Sequence, residues 1–188
     1  MKLISLADLK AFLGEDSIGT GKDALLTAII EYVSPRIESY LNRNLRKETR
    51  RTLFNAGKKI FALSAYPIDS STTAVSVVLD GTTQTINSDY FVWEDRGVVE
   101  FEYTPLYTEP QQIAITWVGG YTETSDVVEV PDDIKLACVL QCSYVFRRRK
   151  DIGATSISMP DGSVSSAGSM QLLPEVKDIL GAYKRLLI

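Results

Sequence analysis

The chain has 188 residues, two cysteines, no histidine and a formal net charge of −4. With 45% hydrophobic and 23% charged residues it has the balance of a soluble globular protein, long enough to bury a core without disulfide or metal. The missing histidine excludes Ser-His-Asp and Cys-His catalysis and every His-ligated metal centre, and no apolar run approaches the ~20 residues of a membrane span.

In chain order, MKLISLADLKAFLG carries Asp8 and Lys10 where a secretory leader needs an unbroken apolar run, so it reads as mature sequence in a reducing compartment. SLADLKAFLG announces a first helix. Ser5 is a good N-cap with Asp8 in a capping-box relation, Gly14 is a natural stop, and Leu6, Leu9, Phe12 and Leu13 form the apolar stripe. KDALLTAIIEYVSPRIESYLNRNL gives a longer second helix, with Asp23 as the expected N-cap and an apolar stripe from Leu26 to Leu41. Pro35 interrupts the hydrogen-bond ladder at a cost of ~3 kcal/mol unless packing compensates. The stripe continues across it, so a kink near Ser34 is expected, not a break.

From Thr49 to Val118 the period changes to two. RRTLFNAGKKIFALS reads as one hairpin. AVSVVLDGTTQTI places Val75, Val77 and Leu79 on one face and turns at Asp80-Gly81. DYFVWEDRGVVEFEY gives two strands around Arg96-Gly97. QQIAITWVGGY is the clearest strand, with Ile113, Ile115 and Trp117 alternating against Ala114, Thr116 and Val118. Six or seven short antiparallel strands over about seventy residues make a small sheet or barrel-like insertion.

Helix returns at VPDDIKLACVLQCSYVFRRRK, with Pro131 at the first helical position, Asp132 and Asp133 in the first turn, and Ile134, Ala137, Cys138, Cys142 and Val145 on the buried face. Cys138 and Cys142 stand one turn apart. No second pair completes a metal site, so they read as small core residues. Residues 151–173 are polar and Gly/Ser-rich, a composition that suits a flexible loop. PEVKDILGAYKRLLI then opens a last helix on Pro174, with Val176, Ile179, Leu180, Tyr183, Leu186 and Leu187 as its stripe. A helix this short is marginal alone and must dock on its own domain or on a neighbouring molecule. The class is α+β: a small bundle of about four helices with an antiparallel β insertion between the second and third long helices. The helical domain covers 1–48 and 119–188, the β subdomain 49–118.

The charge is divided unevenly. Residues 1–60 hold 11 Lys+Arg against 7 Asp+Glu, residues 61–130 hold 1 against 11, and residues 131–188 hold 8 against 6. The middle segment, at −10, repels nucleic acid.

No motif carries enzyme chemistry. GTGKD, Gly19 to Asp23, resembles half a phosphate-binding loop, but Asp16 and Asp23 stand where the full motif needs glycine and a hydroxyl, and a helix precedes it; it reads as a capping loop. Glu94, Asp95, Glu100 and Glu102 have no spacing that separates a catalytic pair from a solvated sheet face. The serines of GATSISMPDGSVSSAG lack a nucleophile elbow. The cations Arg147, Arg148, Arg149 and Lys150 fit three readings: a solvated helix end favoured by the dipole, a partner site, or a nucleic-acid patch.

The order LADLKAFLG, KDALLTAIIEYVSPRIESYLNRNL, YPIDSSTTAVSVVLDG, ITWVGGYTE, VPDDIKLACVLQCSYVFRRRKDIG, LLPEVKDILGAYKRLLI resembles the head–tail connector (adaptor, head completion) proteins of long-tailed phages and prophages over nearly the whole chain. The resemblance implies a structural virion protein with no enzyme activity and no cofactor. It implies a ring of this chain, usually twelvefold, docked beneath the portal protein and followed by the next neck or tail-completion protein. DNA passes through such a ring as non-specific cargo, and no membrane is involved. The implied place is the virion neck, reached from the host cytoplasm during assembly. Expected subunit or portal contacts are Arg43, Arg147, Arg148, Arg149, Lys150, Val176, Ile179, Leu180, Tyr183 and Leu187. The alternative reading is a monomeric binding module whose acidic β insertion holds a cation or a basic ligand.

Overall fold

A capping box opens the first helix, α1 (Leu6–Leu13): the Asp8 amide donates to Ser5 Oγ at 3.1 Å and the Ser5 amide donates to Asp8 Oδ2 at 2.9 Å. The computed structural model describes residues 1–14, 20–69, 75–106, 110–149, 156–158, 164–166 and 171–185. These divide into a helical unit, Met1–Tyr40 with Val130–Tyr183, and a β-rich unit, Leu41–Glu129 with Lys184–Ile188. The class is α+β, with the strands of the β-rich unit inserted between the second and third helices.

In the helical unit a 3-10 turn, Thr20–Lys22, runs straight into α2 (Asp23–Leu41). Asp23 is therefore the first helical residue and not the N-cap. Its carboxylate pairs with Lys10 at 2.5 Å. The helix is continuous through Pro35, and Leu26, Ile30, Val33 and Ile37 are buried on both sides of it. It stops at Asn42, whose φ of +53° is the left-handed conformation that asparagine tolerates after a helix. The stretch expected as helix runs on to Leu45, while its apolar stripe ends at Leu41; the asparagine cap ends the helix with the stripe. Ser34 is fully buried, and its Oγ accepts from the Leu3 amide at 3.2 Å, anchoring the amino-terminal segment.

The third helix, α3 (Asp132–Arg148), begins one residue after Pro131, which occupies the cap position with φ −51°. Helix α1 and the last helix, α4 (Pro174–Gly181), both pack on α3. Cys138, Cys142, Val176 and Leu180 are all fully buried there, each large side chain stabilising by roughly 1.5–3 kcal/mol. The two sulfurs lie 4.0 Å apart as free thiols. The hydrogen bond with Cys138, and then burial, push the Cys142 thiol far above its ordinary value. Helix α4 ends at Gly181, so Tyr183 of the expected stripe lies beyond it; Leu186 and Leu187 lie outside the described residues. Between α3 and α4, the polar segment 151–173 holds one antiparallel pair, Ser156–Ser158 with Val164–Ser166. The rest of 150–170 lies outside the described residues.

The β-rich unit contains β1 (Glu48–Phe54), β2 (Ile60–Ala62), β3 (Val75–Leu79), β4 (Thr82–Thr83), β5 (Tyr90–Trp93), β6 (Val98–Phe101), β7 (Ile113–Gly119), β8 (Glu123–Thr124) and β9 (Val127–Val128). The order β1-β7-β3-β4 forms one antiparallel sheet, β2-β6-β5 a second, and β8-β9 a short ribbon. The hairpin expected between β1 and β2 does not form. Phe54 pairs with Ile113 and Phe61 with Val99, so the two strands enter different sheets. The Asp80-Gly81 hairpin does form, with φ of +46° and +76°. Phe61, Val99, Phe101 and Tyr90 of the smaller sheet share one core with Val75, Val77, Ile115 and Trp117 of the larger. The polar tips of its aromatics are satisfied: Tyr90 donates to the Val75 carbonyl at 3.2 Å and Trp117 Nε1 to that of Ala65 at 3.1 Å.

Candidate functional site

The residues singled out as contact candidates fall into three environments. Arg43 is inside the β-rich unit, 5% exposed, with its guanidinium 3.4 Å over the Tyr66 ring and donating to the Tyr66 carbonyl. On the isolated subunit it is not a surface residue; stacking between aromatics has drawn it inward. Val176 and Leu180 are fully buried in the helical unit, so the inner half of the α4 stripe packs within its own chain. Ile179 and Tyr183 are half-buried, and the Tyr183 hydroxyl donates to Asp133 at 2.9 Å. Leu187 and Lys150 lie outside the described residues.

The third environment is the carboxyl end of α3. Arg147 is exposed. Arg148 donates to the Tyr144 hydroxyl and lies 5.4 Å from that ring. Arg149 donates to the Phe146 carbonyl and lies 4.0 Å over the Phe146 ring, with Lys22 at 5.9 Å from the same ring. Cation–π contacts hold these charges in place, at the helix end that the macrodipole makes negative. The same Lys22 ends the Thr20–Lys22 turn that leads into α2; Gly19, the first residue of the GTGKD stretch, lies outside the described residues.

A further surface escaped the sequence reading. The β2-β6-β5 sheet turns Phe61, Val99, Phe101 and Tyr90 inward, so Ile60, Ala62, Val98, Glu100, Phe91 and Trp93 face outward. Register places Ile60, Glu100 and Phe91 in one row and Ala62, Val98 and Trp93 in the next. Ile60, Phe91 and Trp93 are 41%, 42% and 51% exposed. An antiparallel sheet with one packed face normally shows a polar outer face; this one is apolar apart from Glu100. Trp93 Nε1 donates to Glu100 Oε2 at 3.2 Å, and Lys59 pairs with Glu100 at 3.4 Å. A shallow groove of about 310 Å³ runs between Phe91, Trp93, Glu100 and Glu102. Glu102 is exposed in its lining, and Glu94 and Asp95 are exposed in the turn that follows β5. The signal was present in YFVW, four consecutive apolar residues where a half-buried strand alternates.

Among the described residues no group of three His, Cys, Asp or Glu side chains is placed to hold a metal ion, and no helix is long and apolar enough to cross a membrane. The arrangement offers surfaces, acidic-apolar on one sheet and cationic-aromatic on one helix end.

Comparison with known proteins agrees with that character. A family model described as head completion protein matches residues 2–186. A chain of the virion of a native gene transfer agent particle superposes with a TM-score of 0.60 at 17% identity, covering 99% of this chain and 91% of its own length. A chain from the neck of the empty particle, computed with C6 symmetry, gives 0.60 at 16% over the same shares. One from the neck of the native particle, computed with C12 symmetry, gives 0.52 at 14%, covering 100% and 96%. At these identities the likeness is one of fold. No curated protein matches the chain. The match across residues 2–186 places the chain in the head completion protein family.

Proposed function

We propose that this chain is a structural subunit of the neck of a phage-like particle, where copies form a closed ring beneath the portal protein and DNA passes through the middle. The observation that carries the reading is the family match over residues 2–186. The fold shared with chains from gene transfer agent necks computed with C6 and C12 symmetry supports the cyclic arrangement. The family description, head completion, supports a structural role. The charge of residues 61–130, 1 Arg against 11 Asp+Glu, suits a conduit that DNA crosses without adhering.

Light scattering coupled to size exclusion, with and without a portal ring, tests the reading. Closed assemblies in either condition support it, and strict monomers in both contradict it. A DNA titration at about 150 mM salt tests the conduit: affinity no tighter than the non-specific range of about 10⁻⁴–10⁻⁶ M is expected, and sub-micromolar binding contradicts it.

A further inference from the structure

We propose that the outer face of the β2-β6-β5 sheet is one half of a head-to-tail contact between copies of this chain, and that its occupant is the Arg147–Arg149 end of α3 of the next copy. The inference rests on the ring reading above and adds the surfaces that make it.

Three observations point to this occupant. First, the face is apolar where an antiparallel sheet should be polar: Ile60, Phe91 and Trp93 stay 41–51% exposed over two neighbouring rows, with Ala62 and Val98 beside them and Glu100 between Ile60 and Phe91. A contiguous exposed apolar patch with a polar rim marks an interaction site. Second, the edge carries the exposed carboxylates Glu94, Asp95 and Glu102, with Glu100 oriented by Trp93, against the cations Lys59 and Arg96. Two such faces meeting by a two-fold axis would set carboxylate against carboxylate, so the face is unsuited to self-pairing. Third, the chain carries its own complement. The end of α3 presents Arg147 in solvent and holds Arg148 and Arg149 on Tyr144 and Phe146. Guanidinium groups stack on indole faces and pair with carboxylates, and planes already fixed by their own rings lose little freedom on docking. Arg96 already lies 6.0 Å from the Trp93 ring within one subunit, which shows that this indole receives a guanidinium. Two different surfaces on each copy make a heterologous contact, the kind that closes into rings.

The test exchanges charges at exposed positions. One variant carries Glu94→Lys and Glu102→Lys; the other carries Arg147→Glu. Each alone should assemble at least about tenfold more weakly than the parent chain, because like charges then face each other. An equimolar mixture should assemble again, with the two variants alternating. Wild-type-like assembly of either variant alone, or no recovery on mixing, overturns the proposal. A second measurement does not depend on assembly strength. Glu94→Cys and Arg147→Cys copies, mixed under oxidant, should cross-link to each other and not to themselves; Cys138 and Cys142 are buried and do not compete. Only like-with-like cross-links, or none, also overturn it. If the cysteines trap a separate basic protein while assembly is unaffected, the occupant is that protein and the proposal fails. Rings indifferent to all these changes remove this inference alone, whereas a parent chain that never assembles removes the ring reading with it.

Discussion

The guanidinium of Arg43 lies 3.4 Å over the Tyr66 ring and 5.5 Å from that of Tyr121, two residues that reach it from distant points in the sequence. It also donates to the Tyr66 carbonyl. Arg43 follows directly on the left-handed Asn42 that ends α2. Arginine can make both contacts because its plane stacks and donates at the same time.

Arg43→Lys is therefore not conservative. A lysine keeps the charge and loses the planar stack, and Arg43→Ala leaves the part-buried Tyr66 carbonyl without this donor. Losses of about 1–2 and 2–3 kcal/mol are expected in that order. Urea denaturation followed by tyrosine and tryptophan fluorescence measures both. Equal stability of all three proteins would show that the stack contributes nothing.

Two glycines separate steric from conformational demand. A Cβ on Gly120 would stand 2.5 Å from the Arg46 carbonyl oxygen, at a φ of +108°. A Cβ on Gly57, φ +95°, meets nothing. Gly57→Ala should cost about 1 kcal/mol from the backbone alone. Gly120→Ala adds an overlap with backbone that cannot move aside, so about 3 kcal/mol or more is expected. Thermal melts should rank them in that order; an equal shift contradicts the close approach.

The parts of the fold that were legible were local. The Ser5–Asp8 capping box, the Asp80-Gly81 turn and the alternation of β7 each need only a few neighbouring residues, and each appears where the spacing put it. Partnership between distant strands was not legible. Residues 50–64 read as a hairpin because they are adjacent, yet Phe54 finds Ile113 and Phe61 finds Val99, a choice made by the shared core. The apolar stripe of α2 marks its end at Leu41, but the left-handed Asn42 cap that stops the helix has no apolar spacing to reveal it. The contact candidates fared by the same logic. The cations after Phe146 were visible as a run. That Arg43 turns inward depends on Tyr66 and Tyr121, which no local pattern connects to it. The sheet face of Ile60, Phe91 and Trp93 left a trace in YFVW, but the trace says only that both sides of the strand are apolar.

Alkaline pH should weaken the fold. Hydrogen bonding to Cys138 and burial raise the Cys142 thiol above its ordinary 9.0, and burial and then Asp89 raise the Tyr90 phenol above 10.0. Both raised values mean that the folded state holds the proton more tightly than the unfolded chain. This stabilisation is complete below the ordinary values and is lost as pH rises past them toward the folded ones. Stability should thus be level from about pH 7 to 8.5 and fall beyond it. Denaturation midpoints across this range check it, and Cys142→Ser should reduce the part of the decline that begins near pH 9. In the native protein both thiols should resist alkylation at pH 8 and react at once in denaturant.

The central claim is that copies of this chain close into a ring. Electron microscopy of the purified protein at high concentration, alone and mixed with a portal ring, tests it most directly. Class averages should show closed rings of one fixed subunit number in at least one of the two samples. Uniform single subunits in both, with the portal left bare, would contradict it.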